Sequence, residues 1–76
     1  MRNLALASRT KMEIKFAENL KALRKSKGLS QQELADIVGV NQRTVSAWET
    51  KLSEPSFDML AKLCEIFGET FDGLLG

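Results

Sequence analysis

SQQELADIVGVNQRTVSAWE, residues 30–49, is the stretch that decides the fold. Ser30 and Glu33 form a capping box. The serine oxygen takes a free N–H of the first turn, and the glutamate reaches back to the serine N–H. A helix therefore starts at Ser30, with Leu34, Ile37 and Val38 expected on its buried side. Gly39 ends it after barely two turns, where the chain is expected to need a positive φ. Asn41 is a good N-cap for the next helix, which runs to about Thr50 with Val45 and Trp48 facing inward. Ala35 is placed at the crossing point, where a larger side chain would push the two helices apart. Leu34, Val38, Val40, Val45 and Trp48 are the apolar posts that hold them at a wide angle. Two very short helices joined by a tight turn, the second projecting outward, make a helix-turn-helix.

Working outward, Phe16, Ala17, Leu20 and Leu23 form one apolar face, which predicts a helix from about Glu13 to Ser26, ended by Gly28. Lys51 to Pro55 reads as a loop. Ser56 caps a fourth helix in which Phe57, Leu60, Leu63, Cys64 and Phe67 follow helical spacing, and Gly68 closes it. Thr70 caps a last turn whose Phe71, Leu74 and Leu75 share a face. Alternation of the strand type never lasts. The expectation is an all-α, compact five-helix domain over residues 13–76. Its helices are too short to hold alone, so they share one core. Residues 1–12 lack a clear pattern and are expected to form an N-terminal arm. A mobile arm, a short helical extension and a remnant of an added sequence are the readings open for it.

Seventy-six residues suffice for one domain. There is no histidine and one cysteine, Cys64, so the commonest general base, an internal disulfide and a multi-thiolate metal site are all ruled out. An enzyme, a metal site and a cofactor are not expected. Nor is a membrane span or a secretory signal, which makes the cytoplasm the expected location. Cys64 reads as a small core hydrophobe. Charge is uneven. Residues 1–29 carry eight Lys/Arg against Glu13 and Glu18, whereas residues 51–76 carry Lys51 and Lys62 against five acids. One end of the molecule suits phosphates and the other repels them.

The segment resembles the helix-turn-helix of the phage-repressor and Cro family, also called the XRE family. Ala35, Gly39 and Val45 occupy that family's small, glycine and branched positions. Over about residues 13–75 the resemblance includes Leu29-Ser30-Gln31-Gln32-Glu33-Leu34-Ala35, Trp48-Glu49, Glu54-Pro55-Ser56 and Phe71-Asp72-Gly73-Leu74-Leu75. It implies a DNA-binding domain of bacterial or phage origin, with the helix over about 41–50 in the major groove. The outward side chains of that helix then become candidate base readers. Glutamine fits adenine and arginine fits guanine by two hydrogen bonds each, which suits Gln42 and Arg43. Ser46 is short and ambiguous, and Ala47 suits only a thymine methyl. The family's glutamine matching Gln31 contacts the DNA backbone and also bonds to the one matching Gln42. Arg24 and Glu49 match an arginine–glutamate pair of phage relatives, which would leave Arg24 near phosphates. Thr44, Thr50 and Lys51 complete the expected phosphate contacts. The chain departs from the family after Glu49. Where Asn-Gly and basic residues are frequent, it has Thr50-Lys51-Leu52-Ser53-Glu54.

The resemblance implies a transcriptional regulator, expected to be a repressor acting as a homodimer on a near-palindromic operator in double-stranded DNA. Glu54, Pro55, Phe57, Leu74 and Leu75 are the candidate dimer residues. Two other readings stand beside it. One is the antitoxin of a toxin–antitoxin pair, with a toxin as protein partner. The other is a protein-interaction module that does not bind DNA.

Overall fold

The computed structural model describes the backbone of residues 3–76 and the side chains from Lys15 onward. Five helices follow one another: α1 (Asn3–Ser26), α2 (Gln31–Val38), α3 (Gln42–Glu49), α4 (Phe57–Phe67) and α5 (Phe71–Leu75). No strand occurs among the described residues. Local chemistry starts the last four. Ser30, Asn41, Ser56 and Thr70 stand at their N-caps with extended backbone, and each side chain accepts from the N–H three residues on. At Ser30 the box is closed, because the Ser30 N–H also donates to Glu33 Oε1 at 2.8 Å. Gly39 ends α2 with φ +92°, and the N–H groups of Gly39 and Val40 both turn back to the Ala35 carbonyl. That double return makes the turn tight enough for α3 to start at once.

α1 is longer than the helix predicted from Glu13, since it begins at Asn3. The prediction followed apolar periodicity, which signals burial. Residues 3–12 have no glycine or proline, and Leu4, Ala5, Leu6, Ala7, Arg9, Lys11 and Met12 are all good helix formers, so the stretch can be helical by propensity alone.

The core gathers Phe16, Ala17 and Leu20 from α1, Leu34, Ala35 and Val38 from α2, and Val45 and Trp48 from α3. α4 adds Leu63, Cys64 and Phe67, and α5 adds Leu74. Burial pushes the Cys64 thiol up from its ordinary value, and the charge of Glu69 adds to the effect.

Three expected positions differ. Ile37 is 51% exposed instead of buried. The stripe of α2 is centred between Leu34, Val38 and Ala35, and Ile37 lies about 100° around the helix from that centre. Phe57, predicted on the core stripe of α4, is 70% exposed and stacks on Phe71, with ring centroids 5.3 Å apart. Leu74, expected to be exposed as a dimer residue, is fully buried. α5 lies against α1, where Asn19 Nδ2 donates to the Leu74 carbonyl at 2.9 Å and Lys15 Nζ to the Gly76 carbonyl at 3.0 Å. Leu75 is half-buried, and Glu54 and Pro55 are exposed and half-buried in turn.

Candidate nucleic-acid interface

The side chains singled out around α2 and α3 are joined by one chain of hydrogen bonds. Gln42 Nε2, at the first position of α3, donates to Gln31 Oε1 at 2.6 Å. Gln31, at the first position of α2, passes the chain on by donating from Nε2 to Glu49 Oε1 at 3.0 Å. Glu49, at the last position of α3, accepts from Arg24 Nε at 2.7 Å and from Nη2 at 3.1 Å. Arg24 Nη1 donates to the Leu29 carbonyl at 2.8 Å, in the loop that leads into α2. Both ends of α3, the start of α2 and the end of α1 are thereby tied together through four side chains.

The tertiary fold makes this possible by placing the first residue of α2 beside both ends of α3. The Arg24 and Glu49 side chains are 9% and 2% exposed. Burial pushes the Glu49 carboxyl up. The hydrogen bonds from Arg24 and Gln31, helped by the positive charges of Arg24 and Lys21, outweigh it and hold the group below the ordinary glutamate value. The Arg24 guanidinium is held more firmly protonated by the same bond, against the opposing effect of burial.

Arg24 was expected to serve twice, in this pair and at a phosphate. Its buried guanidinium uses three of its five donors inside the protein and has its charge balanced by Glu49. The link from Gln31 to Glu49 was not foreseen. The sequence offered Gln31–Gln42 and Arg24–Glu49 as separate pairs, and nothing in either spacing says that they share a carboxylate.

The remaining side chains divide by exposure. Gln42 and Arg43 stand exposed at the start of α3, with Ser46 and Ala47 half-buried one turn on. Thr44 is half-buried and donates from Oγ1 to Asn41 Oδ1 at 2.8 Å. Thr50 is exposed, with Oγ1 bonded back to the Ser46 carbonyl at 2.9 Å. Lys51 is exposed at φ +67°, the one described non-glycine residue in the left-handed region. At the start of α2, Ser30 satisfies the Glu33 N–H, while those of Gln31 and Gln32 have no partner among the described residues. Helix N–H groups so placed favour an anion. Among the described residues no group of three His, Cys, Asp or Glu is placed to hold a metal ion, and no helix is long and apolar enough to cross a membrane.

Residues 20–74 match the model of a family described as Helix-turn-helix. The chain is similar to the SPbeta prophage-derived HTH-type transcriptional regulator YonR of Bacillus subtilis. The two are 42% identical over 60 residues, which cover 79% of this chain and 56% of YonR. It is also similar to the antitoxin PezA of Streptococcus pneumoniae, at 32% identity over 61 residues, covering 80% of this chain and 39% of PezA. Among solved structures, the restriction-modification controller protein C.AhdI of Aeromonas hydrophila superposes with a TM-score of 0.73 at 31% identity. That match covers 82% of this chain and 90% of C.AhdI. The chain spans about half the length of the first curated relatives it matches.

Proposed function

This chain belongs to the XRE family of helix-turn-helix transcriptional regulators, and we propose that it is a sequence-specific repressor that binds a near-palindromic operator as a homodimer. The hydrogen-bond chain from Gln42 to Arg24 carries this reading. One N–H of Gln42 Nε2 is committed to Gln31, which fixes the amide plane. The second N–H then suits adenine N7, and Oε1 suits the adenine N6 amino group. Arg43, next along the exposed start of α3, suits guanine O6 and N7 by the same geometry. Ser46 and Ala47 are the shallower contacts one turn further, Ala47 against a thymine methyl. The open N–H groups at the start of α2, with Gln31, Thr44, Thr50 and Lys51, are the phosphate contacts. Arg24 acts by holding Glu49, and through it the two glutamines.

A lone module makes few phosphate contacts and is poorly selective at cellular salt. Two copies about 34 Å apart read two half-sites on one face of the duplex. The exposed or half-buried Glu54, Pro55, Phe57 and Leu75 support self-association at this end, and the burial of Leu74 removes it from the set.

The test is selection of bound sites from random duplexes at stated salt, followed by Gln42→Ala and Arg43→Ala. Each variant is expected to cost about 1–3 kcal/mol on the selected site and to relax preference at its own base position. Equal losses on selected and random DNA for both variants would overturn the assignment.

The likeness to PezA favours a second reading, an antitoxin that also binds a partner protein. A neighbouring gene whose product forms a complex with this chain would support it.

A further inference from the structure

A chain of hydrogen bonds has a direction, and the groups at its buried end decide it. Arg24 can only donate, because a guanidinium carries N–H groups and no acceptor. Glu49, ionised against that guanidinium at 2.7 Å, can only accept. Both of its oxygens accept from Arg24, and Oε1 accepts from Gln31 as well. The Glu49 side chain is 2% exposed, which leaves little room for water to replace either partner.

Gln31 and Gln42 are amides, and an amide can turn its donor or its acceptor end toward a neighbour. The carboxylate removes that freedom. Gln31 has to turn Nε2 to Glu49, so its Oε1 faces Gln42, where it can only accept. Gln42 has to answer with an N–H, which is the 2.6 Å bond from its Nε2. The orientation of an exposed amide at the start of α3 is thus set by a carboxylate at the end of the same helix, through a glutamine on α2.

The base-reading edge of Gln42 inherits this order. It offers a donor, the second N–H of Nε2, on the side of Gln31, and an acceptor, Oε1, on the far side. In the major groove only adenine presents the matching pair, N7 beside the N6 amino group. Guanine presents two acceptors and thymine an acceptor beside a methyl, so Oε1 finds no donor on either. Cytosine presents a donor without the acceptor. An amide free to turn would give guanine or thymine its NH2 group and lose little. One held by Gln31 has to break a hydrogen bond first.

We propose that Glu49 is a specificity-determining residue that acts without touching a base: through Gln31 it orders the donor and acceptor of Gln42, and so raises the preference for adenine over guanine and thymine. The inference rests on the base-reading role given to Gln42 above and adds the positioning residue that sets its selectivity. Arg43 is exposed and stands outside this chain of bonds, so its own base position is the internal control.

The full chain is titrated on its selected site with each base in turn at the Gln42 position and at the Arg43 position. Ratios between bases cancel any uniform change in affinity. Glu49→Gln lets position 49 meet Gln31 with either end of an amide. Adenine preference at the Gln42 position should then fall about three- to tenfold, the contribution of one hydrogen bond between neutral groups. Preference at the Arg43 position should be kept. Gln31→Met leaves the Arg24–Glu49 pair intact and should give the same fall, which covers the case of a Glu49→Gln chain that folds poorly. Gln31→Glu combined with Glu49→Gln moves the acceptor-only group next to Gln42 and should restore the preference, whereas loosened packing would not be repaired by such an exchange. Adenine preference intact in Glu49→Gln and Gln31→Met, a fall shared equally by both base positions, or an exchange no more selective than Glu49→Gln alone would overturn the role of Glu49 while leaving Gln42 a base reader. A Gln42→Ala chain with unchanged preferences would overturn both.

Discussion

Breaking the Arg24–Glu49 pair is expected to cost a large part of this domain's stability, because it removes two charge-assisted hydrogen bonds and leaves a charge buried. The perturbations are Arg24→Met, which keeps the aliphatic stem, Glu49→Gln, which keeps the shape, and the two together. In the native pair, Nε and Nη2 of Arg24 meet both carboxylate oxygens, at 2.7 and 3.1 Å, and both side chains are nearly inaccessible. Charge-assisted bonds of this kind contribute about 1.5 kcal/mol each, so the pair should couple by roughly 3 kcal/mol. Each single variant should lose about 2–3 kcal/mol, and the double variant about 2 rather than the sum, because it buries no lone charge. A domain of this length has about 4–11 kcal/mol in total, so either single loss is a large fraction. Urea unfolding followed by the emission of Trp48, the one tryptophan, reads these differences as midpoint shifts at constant m.

The same carboxylate predicts a pH effect. Its folded pKa lies below the ordinary value of 4.5, so the unfolded chain takes up the proton first. The stabilisation is therefore complete above about pH 4.5 and is lost as pH falls through the lower folded value. Glu49→Gln should remove that part of the acid sensitivity. Losses that add to within about 0.5 kcal/mol, or an acid slope unchanged in Glu49→Gln, would refute the reasoning.

Two further outcomes are expected. Lys51→Gly relieves a left-handed backbone that costs a lysine about 1 kcal/mol, so it should raise the urea midpoint while weakening DNA binding; a gain in both would show that the lysine has no phosphate contact. With Arg24 neutralised by Glu49, each copy should neutralise about two to three phosphates, giving a slope of log K against log salt of roughly −4 to −5 for the dimer; a slope near zero in a salt titration would remove DNA binding as the function.

The starts of α2 to α5, and the tight turn between α2 and α3, were legible in the residues because their causes are local. A cap joins a side chain to an N–H three residues away, as Ser30 does with Glu33 and Asn41 with Thr44. Gly39 adopts φ +92° for reasons contained in its own missing Cβ. The exposed placement of Gln42 and Arg43 was equally readable, since Val45 and Trp48 face the core and so fix which side of α3 points out.

Only the packing of helices against one another decided the rest. Ile37, Phe57 and Leu74 lie on apolar patterns that fit more than one orientation. Exposure of the first two and burial of the third followed from where α1 and α5 meet and where the α2 stripe is centred. Glu49 is shared by Arg24 and Gln31, 25 and 18 positions earlier in the chain, because the fold brings three helices to one point. The sequence by itself determined which helices form and where they begin, since those energies act within a turn. Which faces meet, and which carboxylate serves two partners, depended on contacts that exist only after the chain has closed on itself.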